Sequence, residues 1–350
     1  MAATEPLAGV RDLFPGAAGY LDTATMGLPP EGAVDEILGA LEAWRTGQAS
    51  APGFDGWVAR GRAAFARLVD LPEEQIAVGN QVSAFAGLVA ASLEDRAEVL
   101  CVEGDFTSVL FPFLVQRDRG LTVRVVALER IADEVRSSTD LVAVSAVQSA
   151  DGRVADLDAV ADAAQAHDAA TFIDATQACG WLAFEAARFD YLACSAYKWL
   201  LSPRGSSFFA VRPERLDEIT PHLAGWYAGE DRWSSLYGEP LRLAPDARRL
   251  DVSPAWLSWV GTAPAVELLA DIGVDALGAH GVRLANRLRD ALGLAPEPSP
   301  ILSLNAPGAR ERLERAGVKA SVRGQAVRVC FHLYNSDEDV DAVVAALADR

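Results

Sequence analysis

Seven short apolar runs punctuate the chain between Gln75 and Val211, and segments with helical spacing separate several of them. The runs are QIAVG from Gln75, EVLCVE from Glu98, TVRVVAL from Thr122, DLVAVSAV from Asp140, ATFIDA from Ala170, DYLACSA from Asp190 and SFFAV from Ser207. Each is strand-sized, and a run that is apolar at nearly every position must be covered on both faces. Between two of them, the alanine-rich stretch from Leu157 to Ala166 spaces its apolar residues as a helix does. Together they predict an α/β fold with a large domain whose mostly parallel central sheet is flanked by helices. In such a sheet the ligand gathers at the carboxyl ends of the strands, so the polar residues just after each run are the ones to inspect.

Past Val211 the pattern loosens into a loop-rich stretch holding Trp226, Trp233, Trp256 and Trp259. A helical segment from Pro264 to Leu292, a short strand QAVRVCF from Gln325 and a terminal helix from Ser336 follow. We read residues 1–20 as an N-terminal arm, 21–245 as the large domain and 246–350 as a smaller α+β domain. A chain of 350 residues is long enough to bury a core in each.

Composition removes several function classes. A net charge of −18 works against nucleic acid and anionic membrane alike, since both need a basic surface. No apolar stretch reaches the length of a membrane-spanning helix, and the N-terminus lacks a basic segment followed by an apolar one. Cys101, Cys179, Cys194 and Cys330 sit in apolar runs without a CxxC pair, which predicts buried free thiols in a reducing cytoplasm. The four histidines show no metal-ligand spacing, so no metal is expected. GxGxxG does not follow the first strand, which argues against a dinucleotide site.

Of 31 basic residues only two are lysines, Lys198 and Lys319. Ordinary surface charge here is arginine, so each lysine invites the question of what arginine could not do. A desolvated lysine amine is a nucleophile that forms imines; a guanidinium stays protonated. Lys319 lies in the polar stretch ERAGVKASVRG and reads as surface, whereas Lys198 ends an apolar strand beside a tryptophan. Asp174 ends ATFIDA, where a carboxylate can keep a pyridinium nitrogen protonated. Gln177, three residues on, could donate to a phenolic oxygen. Ser83 opens a helix-period run after QIAVG, a place suited to phosphate. Each has an ordinary reading beside this one: a strand-end lysine can reach solvent along its stem, and Asp and Ser both cap helices. Their order along one α/β chain is what adds information.

The core FIDATQACGWL followed by SAYKWLLSPRG resembles the D-x-x-Q and S-x-H-K motifs, the latter before G-P-x-G, of the class V aminotransferases. This group of pyridoxal 5′-phosphate (PLP) fold type I proteins includes cysteine desulfurases and isopenicillin N epimerase-like proteins. The resemblance implies Asp174 at the ring nitrogen, Gln177 at the phenolic oxygen, Lys198 as the Schiff-base lysine and Ser195 at the phosphate. YLDTATMGLPP from Tyr20 is similar to the family's N-terminal motif near the substrate. VSAFAGL replaces the T-T-E motif, with Val82 offering its N–H and Ser83 its hydroxyl to phosphate. EGDFTSVLFP places Phe106 over the ring, SAVQSADG puts Gln148 beside the substrate, and VRVCFHLYNSDEDVD makes Arg328 the fork for its carboxylate. RRLDVSPAW resembles the stretch from which a partner subunit gives the phosphate a hydroxyl, here Ser253, which implies a homodimer.

Three departures narrow the chemistry. Tyr197 stands where the family has a histidine before the lysine, and a phenol can still donate to phosphate. Phe106 replaces a histidine that both stacks and moves protons in desulfurases; phenylalanine only stacks. The segment RAGVKASVRGQAV before Arg328 has no cysteine, so a desulfurase nucleophile is missing from its place. An amino acid or similar amine is the implied substrate, and transamination, which needs only the lysine, the aspartate and the arginine, is the leading expectation. A C–S β-lyase, or a desulfurase-like enzyme without a loop cysteine, is the alternative. Epimerisation stands third, because it needs a second acid–base group, for which Tyr227 is the candidate.

Overall fold

A computed structural model describes residue 7 and residues 9–348. All seven runs are strands: β1 (Ile76–Gly79), β2 (Glu98–Val102), β3 (Thr122–Val126), β4 (Leu141–Ser145), β5 (Ala170–Asp174), β6 (Tyr191–Ser195) and β7 (Ser207–Val211). They form one sheet in the order β1-β7-β6-β5-β4-β2-β3. The five strands from β3 to β6 are parallel, while β7 runs antiparallel to both β6 and β1. Side chains alternate across a strand, and here the alternation divides two cores. Leu100, Val102, Val142, Val144, Ile173 and Leu192 face one core, and Val99, Cys101, Leu141, Ala143, Phe172 and Ala193 face the other.

Helices cover both faces. α1 (Glu31–Arg45) and α2 (Ala51–Leu68) lead into β1, and α2 brings Val58 and Phe65 to the first core, where Phe65 stacks on Phe208 at 4.2 Å. Burying a ring of that size fully is worth about 1.5–3 kcal/mol. α3 (Val82–Ser92) and α4 (Thr107–Leu114) bring Phe85, Leu88, Val109 and Phe113 to the second core. α5 (Leu157–Ala166) returns to the first with Val160 and Ala164.

The helical segment expected from Pro264 to Leu292 is two helices, α6 (Trp256–Ile272) and α7 (Val274–Ala291), which meet at 85°. Gly273, at φ 88°, makes the break, because side-chain-bearing residues rarely adopt that conformation. α6 corrects the domain boundary at residue 246. It packs on the large domain: Trp256 stacks on Phe54 at 5.1 Å, Trp259 meets Phe208 edge-on at 5.3 Å, and Glu267 pairs with Arg60. Trp259, Val260, Ala263, Val266 and Leu269 are all buried, and a helix apolar on so many sides belongs inside. Periodicity revealed a helix there and could not say against which body it lies.

The smaller unit therefore begins with α7. Its antiparallel sheet runs β8 (Ile301–Leu304), β10 (Ala326–Cys330), β9 (Ser321–Arg323), and α7, α8 (Ala309–Arg315) and α9 (Asp337–Ala348) close its core. The arm joins this unit. Leu21 enters the third core, the Leu21 N–H donates to the Lys319 carbonyl at 2.8 Å, and the Lys319 N–H donates to Gly19 at 2.7 Å. Lys319 itself is exposed. Residues 1–6 and 8 of the predicted arm lie outside the described residues. Among those described, no single helix is long and apolar enough to cross a membrane.

Candidate active site

Strand register builds the floor of the site. Ser145 pairs with Asp174 across β4 and β5, and Asp174 with Ala193 across β5 and β6, so these strands finish in one row. A cleft opens above it, lined among others by Asp174, Ser195, Tyr197, Lys198 and Phe106. Lys198 is only 6% exposed. Its Nζ lies 5.0 Å from the centroid of Phe106 and 5.6 Å from that of Tyr197. Burial pulls the amine down to about 8; Asp174 opposes this, while Arg328 and Arg323 add to it. Burial raises the Asp174 carboxyl in turn, against a hydrogen bond from the Thr176 N–H at 2.9 Å and the charge of Lys198. The chain from Tyr20 to Gly27 crosses over this lysine. The Gly27 N–H donates to the Tyr197 carbonyl at 2.9 Å, and a Cβ on Gly27 would lie 2.1 Å from the Lys198 carbonyl oxygen. Only glycine fits.

At one end of the cleft stands the start of α3. Its N-cap, Gln81, makes no side-chain cap, which leaves first-turn N–H groups free for an anion. Val82 lines the cleft, and Ser83, half-buried, follows it. Ser195 and Tyr197 line the same cleft, and the Arg204 guanidinium sits 5.2 Å from the Tyr197 ring. Ser253 is exposed and outside the lining of this cleft, just past Val252, whose N–H bonds to β1 at Val78.

Gln177 is held more tightly than the sequence suggested. The Trp199 indole N–H can only donate, so its 2.7 Å contact fixes the amide oxygen of Gln177. The amide nitrogen then donates to the Ala24 carbonyl at 3.0 Å and to Ser149 Oγ at 3.1 Å. Trp199 is fixed from behind by His332, which stacks on it at 5.2 Å and bonds its carbonyl at 2.9 Å. Gln148, expected beside the substrate, is buried and donates to the Ser145 carbonyl at 3.4 Å. The neighbour that lines the cleft is Ser149, one residue later. Chain direction after β4 decides this, and spacing alone could not show it.

Behind Ser149, which lines the cleft, stands the smaller unit. Arg328, in the middle strand β10, is 1% exposed. One terminal nitrogen donates to the Ser149 carbonyl and to Ser149 Oγ, the other to Thr25 Oγ1 at 2.7 Å, and Asp22 lies 3.8 Å away. The fork expected to be free is thus largely engaged by the protein, with Nε left buried and unpartnered. Cys330 lies two residues further along the strand, and like Arg328 it is outside the lining of the cleft. Its Sγ accepts from the Ala24 N–H at 3.2 Å, donates to the Leu21 carbonyl at 3.3 Å, and burial pushes the thiol up to about 11. Tyr227 is likewise elsewhere, bonded to Asp55 at 2.9 Å.

Sequence reasoning missed Asp105. Its buried carboxylate takes the N–H of Phe106 at 2.6 Å and of Ser145 at 2.8 Å, and so fastens the ring over the cleft to the end of β4. The signal was present in EGDF, an acid directly after β2. Thr25 and Ser149 left no comparable signal, because hydroxyl residues in loops are common.

The donor set suits PLP: a buried, neutralisable amine, a carboxylate across the cleft from it, an aromatic cover, and free N–H and hydroxyl groups at one end. Residues 60–310 match the aminotransferase class-V family. An uncharacterized aminotransferase of Bacillus subtilis is 27% identical over 313 residues, covering 82% of each chain. The isopenicillin N epimerase of Streptomyces clavuligerus is 27% identical over 335 residues, again covering 82% of each. A cysteine desulfurase structure from Escherichia coli superposes with a TM-score of 0.84 at 20% identity, over 98% of this chain and 97% of that one. The chain belongs to the class V aminotransferase family, of PLP fold type I, and PLP is its cofactor.

Proposed function

We propose that this chain is an aminotransferase acting on an α-amino acid, with the cofactor held on Lys198 Nζ. The observation that carries the reading is the set of groups able to move a proton. Among the residues that line the cleft, the titratable ones are Asp174, Tyr197 and Lys198. Bound PLP supplies an electron sink that loosens the bonds at the amino-bearing carbon. Asp174 keeps the ring nitrogen protonated. Lys198 Nζ, freed when the substrate's own amine takes its place on the cofactor and lowered to about 8 by burial, takes and returns the substrate's proton near neutral pH. Phe106 covers the ring and excludes water without exchanging a proton. Gln177 serves the ring's oxygen edge by turning to it the amide N–H that otherwise meets Ser149 Oγ. Arg328, with Ser149 beside it, holds the substrate carboxylate.

A single base favours returning the proton from the side that removed it, which supports transamination over epimerisation. Tyr227, bonded to Asp55, gives epimerisation no second base. The second reading is a C–S β-lyase, which needs the same lysine; no thiol lines the cleft, which favours a lyase over a persulfide-forming desulfurase. A panel of amino acids, with and without a keto-acid acceptor, separates these. Keto acid with acceptor dependence supports the aminotransferase; sulfide without an acceptor supports the lyase; inverted stereochemistry overturns both.

The phosphate end supports a homodimer. Val82, Ser83, Ser195 and Tyr197 serve the phosphate of their own chain, and the exposed Ser253 serves that of a second copy. Phe106, Phe111 and Val115, all exposed around α4, give that copy an apolar surface. Four buried free thiols support a reducing, cytoplasmic setting.

A further inference from the structure

We propose that Thr25 is a substrate-positioning residue whose hydroxyl, held between Arg323 and Arg328, donates a hydrogen bond to the substrate's carboxylate. The inference rests on the reading of Arg328 as the carboxylate site. A hydroxyl has two lone pairs and one proton, and a guanidinium only donates. Arg328 gives Thr25 Oγ1 an N–H at 2.7 Å and Arg323 gives it another at 2.8 Å. Both lone pairs are therefore filled, and the proton must point away from both cations. Among the described residues no acceptor takes it.

Charge leads the same way. Of the two guanidiniums, only Arg328 has a carboxylate within 4.0 Å among the described residues, and that is Asp22 at 3.8 Å. Arg323 otherwise donates only to the carbonyl of Val322, at 2.8 Å. Two cations thus share one neutral oxygen and one distant acid. Arg328 Nε is buried without a partner, and one oxygen of Asp22 is too. A carboxylate has about four acceptor sites, enough for the Thr25 proton and the Arg328 Nε together. Both arginines also lower the basicity of Lys198, so their field reaches the amine where the reaction occurs. Thr25 is placed by its own segment: its N–H bonds to the Asp22 carbonyl at 2.9 Å, and the same segment is clasped by Gln177 and Cys330 through Ala24.

Two reagents that capture the cofactor without turnover test this in the PLP-loaded enzyme. Aminooxyacetate carries a carboxylate and O-methylhydroxylamine does not; loss of cofactor absorbance reads the apparent affinity for each. Thr25→Val keeps the shape and removes the hydroxyl. It should weaken aminooxyacetate about ten- to hundredfold, the range for a hydrogen bond to a charged group. O-methylhydroxylamine should change by no more than about twofold. Thr25→Ser should restore most of the aminooxyacetate preference. Equal losses for both reagents, or no loss in Thr25→Val where Arg328→Ala weakens aminooxyacetate, overturn the role of Thr25. If Arg328→Ala itself leaves aminooxyacetate unaffected, the carboxylate reading fails and this inference with it.

Discussion

The two ends of the cleft are built by different means. At the lysine end, Asp174 closes β5 and Lys198 follows the end of the neighbouring β6, so the register of two adjacent strands brings them together; burial acts on both, opposed at Asp174 by Thr176 and at Lys198 by the charge of Asp174. At the arginine end, Arg328 from the smaller unit meets Thr25 from the N-terminal segment and Ser149 from the loop after β4, and side-chain hydrogen bonds assemble them. The first end is local geometry with few hydrogen bonds to its reactive nitrogen. The second is tertiary assembly in which both terminal nitrogens of Arg328 are engaged by the protein. The difference suits their tasks: a base must change its protonation state, and a carboxylate site must not change its shape.

Losing the lysine end should abolish chemistry while sparing recognition. Lys198→Ala should lower turnover by at least about a thousandfold. Borohydride reduction of the loaded wild type should leave the pyridoxyl group on Lys198; a label on Lys319, the other lysine, would reverse the assignment. Asp174→Asn should keep the fold and lower turnover roughly a hundredfold, because the charge aimed at the ring nitrogen is gone. The same change should move the amine further down. Asp174 is the main group holding Lys198 up against burial, so without it the midpoint for labelling Lys198 in cofactor-free protein should fall below its value of about 8. A midpoint that rises would mean the two side chains do not share a field.

Trp199 ties the ends together, since it follows the lysine directly and holds Gln177, whose amide reaches Ser149 and Ala24. Trp199→Phe keeps the stacking on His332 and leaves the Gln177 oxygen without its buried donor. That should cost about 1–3 kcal/mol in denaturant unfolding. It should also raise the Michaelis constant more than it lowers turnover. A drop confined to turnover would place Trp199 at the lysine end alone.

This contrast also decides what could be read in advance. All seven strands were legible as short apolar runs; β2, β4, β5 and β6, parallel and fully buried, write them near-continuously, while the edge strand β3 is only half-buried. Asp174 and Lys198 were legible because a strand end is a short-range signal and a lysine is rare in this chain. The arginine end was only half legible. Arg328 could be named from its motif, but which atoms it would meet depends on Ser149 and Thr25, 179 and 303 positions away in the chain. Gln148 was chosen where Ser149 faces the cleft, since nothing in a loop's spacing fixes its direction. Likewise α6 read as part of the second domain, because a helix apolar on most sides announces burial without naming its host.

Cys330 is the smallest expected effect on chemistry and the sharpest test of the comparison. It lies two residues from Arg328 on β10, so strand alternation gives both the same side, and a thiol beside a carboxylate site would be well placed to take sulfur. Its surroundings argue otherwise. The sulfur is fully buried, donates to the Leu21 carbonyl, accepts from the Ala24 N–H, and has its acidity suppressed to about 11. A thiolate is the nucleophile, and little is present near neutral pH at that value. Cys330 instead clasps the segment that carries Thr25. Cys330→Ala should therefore leave turnover near wild type, cost about 1–2 kcal/mol of stability through the lost packing and the freed N–H, and raise the Michaelis constant modestly. Incubation with cysteine should give no persulfide on the native protein. A persulfide that vanishes in Cys330→Ala, with alanine as product, would show that the arginine end performs chemistry after all and that its rigidity is not the whole account.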